Sequence, residues 1–215
     1  MQLAGSERLC SLPPYLFAEI DRRKAELRSQ GKDIIDFGVG DPDMPTPEPI
    51  VNALKRALET RGYHRYSLSR GLATLRQAIS RWHERRHGIK LDPDTEILPL
   101  IGSKEGIAHT PLAILNRGDV ALIPEPGYPP YTGGVVLADG KPHYMPLLEE
   151  NSFLPDLRGI PQKVASRAKL MILNYPNNPT GALCPPDFVH EVVEFAKLNG
   201  IFVIHDAAYS ELVLD

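Results

Sequence analysis

Residues 169–209, KLMILNYPNNPTGALCPPDFVHEVVEFAKLNGIFVIHDAAY, constrain the fold of this chain more than any other stretch. Two apolar runs, Leu170–Leu173 and Ile201–Ile204, are too short for helices and read as buried strands. A helical pattern lies between them. It starts after Pro185-Pro186 with Asp187 in the first turn, carries Phe188, Val192, Phe195 and Ala196 on one face, and stops at Asn199-Gly200. Such a crossover makes the two strands parallel neighbours. Each strand runs into a polar segment, Asn174–Gly181 after the first and Asp206–Tyr209 after the second. In open α/β sheets, ligands bind outside the carboxyl ends of the strands, so Asn178, Asp206 and Tyr209 are expected to face one crevice. A carboxylate at the end of a buried strand needs a cationic or protonated partner. A protonated heteroaromatic nitrogen meets that need. The same residues also fit a plain Asn-Pro-Thr-Gly turn and a helix-capping Asp206.

Composition excludes little. With a net charge of −3, 42% hydrophobic and 24% charged residues, the sequence shows no pull toward nucleic acid or a membrane surface. No apolar run approaches the roughly 18 residues of a membrane span, and the N-terminus lacks a signal-peptide core, so a cytoplasmic protein is expected. Cys10 and Cys184 follow no metal or redox spacing.

The remaining segments alternate in the same way. After an N-terminal arm, Leu16, Ile20, Ala25 and Leu27 predict a helix ending at Gln30-Gly31. Ile34–Phe37 predicts a strand leading into Gly38-Val39-Gly40-Asp41-Pro42-Asp43, where Gly40 fits either close backbone approach to a ligand or a rigid turn. Ile50, Val51, Leu54 and Leu58 predict a helix over 48–60, and Leu72, Leu75, Ile79 and Trp82 one over 72–87. The latter ends His83-Glu84-Arg85-Arg86-His87, which matches the H-E-x-x-H zinc motif. Two arginines beside a dication, a helix-breaking Gly88 and no third ligand at a familiar offset favour a solvated helix end instead.

A strand over Glu96–Ile101 enters Gly102-Ser103-Lys104-Glu105-Gly106 and a helix to about Leu115. A glycine turn into a helix N-terminus suits an anion, and equally an uncommitted helix start. Strand Val120–Ile123 runs into Pro124-Glu125-Pro126-Gly127-Tyr128-Pro129-Pro130-Tyr131, where Tyr128 suits the face of a ring or simple loop packing. Residues 142–147 form a further strand, and Leu154–Leu157 begins a short connecting helix.

Taken together, Asn-Asn-Pro-Thr-Gly at 177–181 and Asp206-x-x-Tyr209 resemble the cofactor site of the fold-type I aminotransferases, which use pyridoxal 5'-phosphate (PLP). The segments LPPYLFAEID, IGSKEGIAH, NYPNNPT and HDAAYSE are most similar to the LL-diaminopimelate aminotransferase branch. The resemblance implies a three-layer α/β/α sandwich of the PLP-dependent transferase major domain, incomplete here. Residues 1–45 would form an N-terminal arm and small-domain segment, and 46–215 the first part of the large domain. It implies that Asp206 pairs with the pyridine nitrogen, that Asn178 and Tyr209 bond the phenolic oxygen, and that Tyr128 stacks on the ring. Ser103 and Lys104 would hold the phosphate. Tyr66, otherwise a loop aromatic, would reach the phosphate of a neighbouring subunit in a homodimer. Tyr15, Gly40 and Lys104 would contact substrate. The implied reaction passes an amino group from an amino acid, LL-2,6-diaminopimelate in this branch, to a 2-oxo acid such as 2-oxoglutarate in lysine biosynthesis.

The resemblance also puts the Schiff-base lysine and a phosphate-clasping arginine beyond Asp215. No catalytic residue is therefore assigned in this sequence, no metal is expected, and the 215-residue chain is expected to be an N-terminal portion that does not turn over alone. The same scaffold also serves β-lyases and aminocyclopropane-carboxylate synthases, and a non-catalytic fragment or partner subunit fits the missing lysine.

Overall fold

The computed structural model describes residues 5–14, 16–38, 40, 43–66 and 70–212. In chain order the helices are α1 (Glu7–Cys10), α2 (Leu16–Ser29), α3 (Glu48–Leu58), α4 (Ala73–His87), α5 (Ser103–Ile114), α6 (Pro129–Leu137), α7 (Gln162–Ala165) and α8 (Pro186–Asn199). The strands are β1 (Val120–Glu125), β2 (Lys141–Pro146), β3 (Ala168–Asn174) and β4 (Phe202–Asp206). Contacts divide the chain into two compact units, residues 1–15 with 101–215 and residues 16–100.

The first unit is built on a parallel sheet in the order β2-β1-β3-β4. Its two central strands are buried on both faces, as a near-continuous apolar sequence predicts. Side chains of a strand alternate between faces, and here the alternation separates two cores. Val120 and Leu122 of β1, with Met171 and Leu173 of β3, pack with Phe188, Val192 and Ala196 of α8. Ala121, Ile123, Leu170 and Ile172 pack with Ile107 of α5 and with Tyr131 and Val135 of α6. The result is a helix–sheet–helix sandwich. A register shift where β1 meets the start of β3 pairs Val120 with Ala168 but Ala121 with Leu170, leaving Lys169 as a surplus, exposed residue.

The helix between β1 and β2 packs in one core and the helix between β3 and β4 in the other, so the topology switches between the adjacent strands β1 and β3. Ligand crevices of open α/β sheets form at such a switch, outside the carboxyl ends of the strands.

Helix α6 departs from expectation, since Pro129-Pro130-Tyr131 reads as a turn. The prolines instead occupy the first helical turn, where their missing N–H groups cost nothing. Two interior glycines disfavour the helix, but Gly134 lies against the α5 backbone, where an added Cβ would stand 3.1 Å from the Ala108 carbonyl oxygen. Close packing offsets the poor propensity.

In the second unit, the helices at α2, α3 and α4 form as expected. Gly31 and Gly88 close α2 and α4 in the left-handed conformation that glycine adopts without strain. The strands expected over 34–37 and 96–101 do not form, and Phe37 is 92% exposed. A strand exists only through a ladder partner, and local apolar pattern cannot supply one. The expected helix at 154–157 is likewise irregular chain. Leu72, just before α4, and Leu75 and Trp82 on it are exposed, and the buried residue of α4 is Arg76. Its guanidinium donates to the carbonyls of Pro93 (2.7 Å), Arg70 (3.0 Å) and Gly71 (2.8 Å) and to Asp94 Oδ1 (2.8 Å). One planar fork thus ties the loop before α4 to the loop after it.

Candidate active site

Three strand ends and one helix start supply the site. Asp206 is the last residue of β4 and stands in register with Asn174, the last residue of β3. Its Oδ2 accepts a 2.8 Å hydrogen bond from the Tyr131 hydroxyl, and its backbone carbonyl accepts one of 2.9 Å from Asn174 Nδ2. Burial, then the bond to Asp206, pushes the Tyr131 phenol far above its ordinary range, so it keeps its proton and acts as a donor. A hydrogen bond to a carboxylate is stronger than one between neutral groups.

The loop after β3 is held by two buried asparagines. Asn177 donates through Nδ2 to the Asn174 carbonyl at 3.2 Å, and its Oδ1 accepts from the Thr180 hydroxyl at 2.8 Å and the Thr180 amide at 3.2 Å. Its main chain bonds Ala182 and Gly181 across the turn. Asn174 Oδ1 accepts from the Asn178 amide at 2.7 Å. Asn178 is thereby presented next to Tyr209, with its Nδ2 3.4 Å from the Tyr209 hydroxyl.

At the end of β1, Tyr128 is partly buried against the α5/α6 core and meets Tyr131 edge-on, with centroids 5.8 Å apart. The Lys104 ammonium lies 5.6 Å from the Tyr128 ring centroid, within cation–π range. Lys104 and Ser103 open α5 behind Gly102, whose φ of +91° suits glycine alone, and open space surrounds the position of a Cβ there. The first amides of α5 have no acceptor within the helix, and together with the helix dipole they favour an anion.

A connected series therefore runs from Asp206 through Tyr131 and Tyr128 to Lys104. Of the residues expected at the site, it brings together Asp206, Asn178 and Tyr209 at one end and Tyr128, Lys104 and Ser103 at the other. Gly40 and Tyr66 belong to the second unit, where both are exposed, Tyr66 at 96%. Tyr15 lies outside the described residues. Three residues of the site escape a reading of pattern. Asn174 and Asn177 look like loop polars, and Tyr131 looks like part of a proline turn. The signal for Asn174 was its place directly after the apolar run Leu170–Leu173, and for Tyr131 its position three residues past Tyr128 once α6 is recognised as a helix.

The donor set fits PLP by its chemistry. A carboxylate held by a phenol suits a protonated pyridine nitrogen, an amide and a phenol suit a ring oxygen, an aromatic face suits the ring, and a helix start with a hydroxyl and an ammonium suits a phosphate. Among the described residues no group of three or more His, Cys, Asp or Glu side chains could hold a metal ion, and no helix is long and apolar enough to cross a membrane. His83 and His87 each contact the Trp82 ring edge-on.

The model of the family "Aminotransferase class I and II" matches residues 32–215. Over 99% of its length the chain is 49% identical to LL-diaminopimelate aminotransferase of Halothermothrix orenii, covering 55% of that protein. Over 96% it is 53% identical to the enzyme of that name from Aquifex aeolicus, covering 54% of it. The chain thus spans about half the length of these curated relatives. Among solved structures, substrate-bound BacF from Bacillus subtilis matches with a TM-score of 0.88 at 38% identity, over 95% of this chain and 52% of that one. A Thermus thermophilus aspartate aminotransferase variant matches with a TM-score of 0.86 at 28% identity, over 95% and 53%. With the sheet, the strand-end site and the sequence match in agreement, the chain belongs to the class I and II aminotransferases.

Proposed function

We propose that these residues form the ring- and phosphate-binding part of a PLP site for amino-group transfer between an amino acid and a 2-oxo acid. One observation carries the reading: Asp206, at the end of a strand, is held at its carboxylate by a buried phenol and stands next to the Asn178–Tyr209 pair. PLP, when bound, supplies an electron sink for the substrate's Cα, and an acidic partner keeps its ring nitrogen protonated. Asp206 would hold that proton at the nitrogen. Asn178 and Tyr209 would orient the phenolic oxygen, Tyr128 would cover the ring face, and Ser103, Lys104 and the start of α5 would bind the phosphate.

The names of the relatives near 50% identity support LL-2,6-diaminopimelate and 2-oxoglutarate as the substrate pair, in lysine biosynthesis. In this reading Tyr15, Gly40 and Lys104 contact substrate, and Tyr66 serves the phosphate site of a second copy in a homodimer. Residues 1–45 form the arm and small-domain segment, and 46–215 the first part of the large domain. The free thiols of Cys10 and Cys184 suit a reducing, cytoplasmic compartment. No lysine among these 215 residues is assigned as the Schiff-base lysine.

The test is a PLP titration of the purified chain, followed by borohydride reduction and peptide mass analysis. Saturable binding that weakens at least tenfold in Asp206→Asn, with no lysine modified, is expected. Binding indifferent to Asp206, or PLP fixed to Lys104, overturns the reading.

A further inference from the structure

We propose that Asn174 is a positioning residue that sets Asn178 against Asp206, so that one buried amide fixes the spacing between two sides of the ligand ring; the inference rests on the PLP reading above. Asn174 is 1% exposed and ends a strand in which the four residues before it are Leu170, Met171, Ile172 and Leu173. An apolar side chain would continue that strand at lower cost, because a buried amide is unfavourable unless its bonds are made. Both ends of this amide are engaged, and with main-chain atoms of two different site residues. Nδ2 donates to the Asp206 carbonyl at 2.9 Å, and Oδ1 accepts from the Asn178 amide at 2.7 Å.

One other described side-chain bond joins β4 to this loop, from His205 Nε2 to the Tyr175 carbonyl at 3.1 Å, but it ends three residues short of Asn178. The β3–β4 ladder stops at the Asn174–Asp206 pair, before Asn178. Asn177 closes the loop on itself, through Asn174, Thr180, Gly181 and Ala182, and makes no bond to β4. The Asn178 side chain reaches β4's extension only through the 3.4 Å contact to Tyr209. Tyr131 holds the Asp206 carboxylate, and its hydroxyl makes no described hydrogen bond to the loop after β3. The planar carboxamide of Asn174 is thus the rigid link that bonds the main chains of both Asp206 and Asn178, and its two bonds translate a fixed atom-to-atom length into a fixed separation of the nitrogen-facing and oxygen-facing groups.

The experiment uses the 215-residue chain, unsubstituted and as Asn174→Leu, Asn174→Ala and Asp206→Asn. Leucine keeps the branched skeleton without either bond, and alanine excludes an artefact of leucine's greater bulk. Amide hydrogen exchange without ligand reads the link directly. Protection of the Asn178 amide should fall at least tenfold in both Asn174 variants, while the Val203 and Ile204 amides keep theirs. With PLP labelled at the ring nitrogen, the dissociation constant should rise about tenfold and the nitrogen resonance should move toward the unprotonated position. Unchanged Asn178 protection, or an unchanged nitrogen resonance, overturns the positioning role. Loss of protection at Val203 and Ile204 as well also overturns it, since Asn174 would then be only a packing residue. Failure of the unsubstituted chain to bind PLP, or equal binding by Asp206→Asn, overturns the PLP reading and the inference with it. The unliganded exchange result separates the two failures.

Discussion

The Tyr131 hydroxyl donates to Asp206 Oδ2 at 2.8 Å across 75 residues of sequence, joining the helix after β1 to the end of β4. Its removal leaves the carboxylate oxygen without its protein donor. Tyr131→Phe keeps the ring and its edge contact with Tyr128, so the α5/α6 core should survive. A hydrogen bond to a charged group is worth about 1.5–3 kcal/mol. The dissociation constant for PLP should therefore rise about tenfold or more, measured by absorbance titration, while the far-ultraviolet circular dichroism stays unchanged.

Alkali should unfold the first unit through its buried phenols. Tyr131 and Tyr175 both have pKa values raised well above the ordinary value, in each case chiefly by burial. The unfolded chain ionises these groups near pH 10 while the folded chain does not. Their contribution is whole below about pH 10 and is lost as pH rises above it. Burial also raises the Cys184 thiol, which extends the same slope down toward about pH 8.5. Urea midpoints should be level between pH 7 and 8 and fall steeply above pH 10. Tyr175→Phe loses the 2.9 Å bond to the Phe153 carbonyl and should be about 1 kcal/mol less stable at pH 8, with a shallower alkaline decline.

Arg76→Lys tests the fork that holds the second unit. An ammonium cannot reach three carbonyls and Asp94 at once. The expected loss is about 2–3 kcal/mol, seen as faster hydrogen exchange and proteolysis between residues 70 and 94. Amides of β1 and β3 should keep their protection.

Gly127→Ala should act on Tyr128. A Cβ at this position would stand 2.4 Å from the Pro124 carbonyl oxygen, closer than any real contact allows. The turn must move, at a cost of about 1–3 kcal/mol. Weakened PLP binding with the thermal midpoint lowered by several degrees is the expected result. Unchanged binding would remove Tyr128 from the ring face.

The strand–helix–strand unit was legible because hydrophobic runs, proline–proline and asparagine–glycine punctuate it without ambiguity. That alone brought Asn178, Asp206 and Tyr209 to adjacent strand ends, and β3 and β4 do pair in parallel with Asn174 opposite Asp206. Where a segment's state depends on a distant partner, pattern failed. Ile34–Phe37 and Glu96–Ile101 are apolar enough for strands but have no ladder. Pro129–Leu137 has poor helix propensity and is a helix because Gly134 fits the α5 backbone. Tyr131 and Asn174 were missed for a related reason, whereas the Asn177 side chain bonds only residues three positions away and was hidden by its loop-like setting. A buried polar side chain is identified by what it bonds, and those partners lie up to 75 residues away.

The alternation along β3 sorts the consequences of damage. Leu170 and Ile172 press on the helices that present Lys104, Tyr128 and Tyr131, whereas Met171 and Leu173 press on α8, which presents none of them. Neighbouring core positions of equal burial are therefore unequal in kind. A void opened beneath Ile172 loosens the groups that meet a ligand, while one opened beneath Met171 is felt only as lost stability.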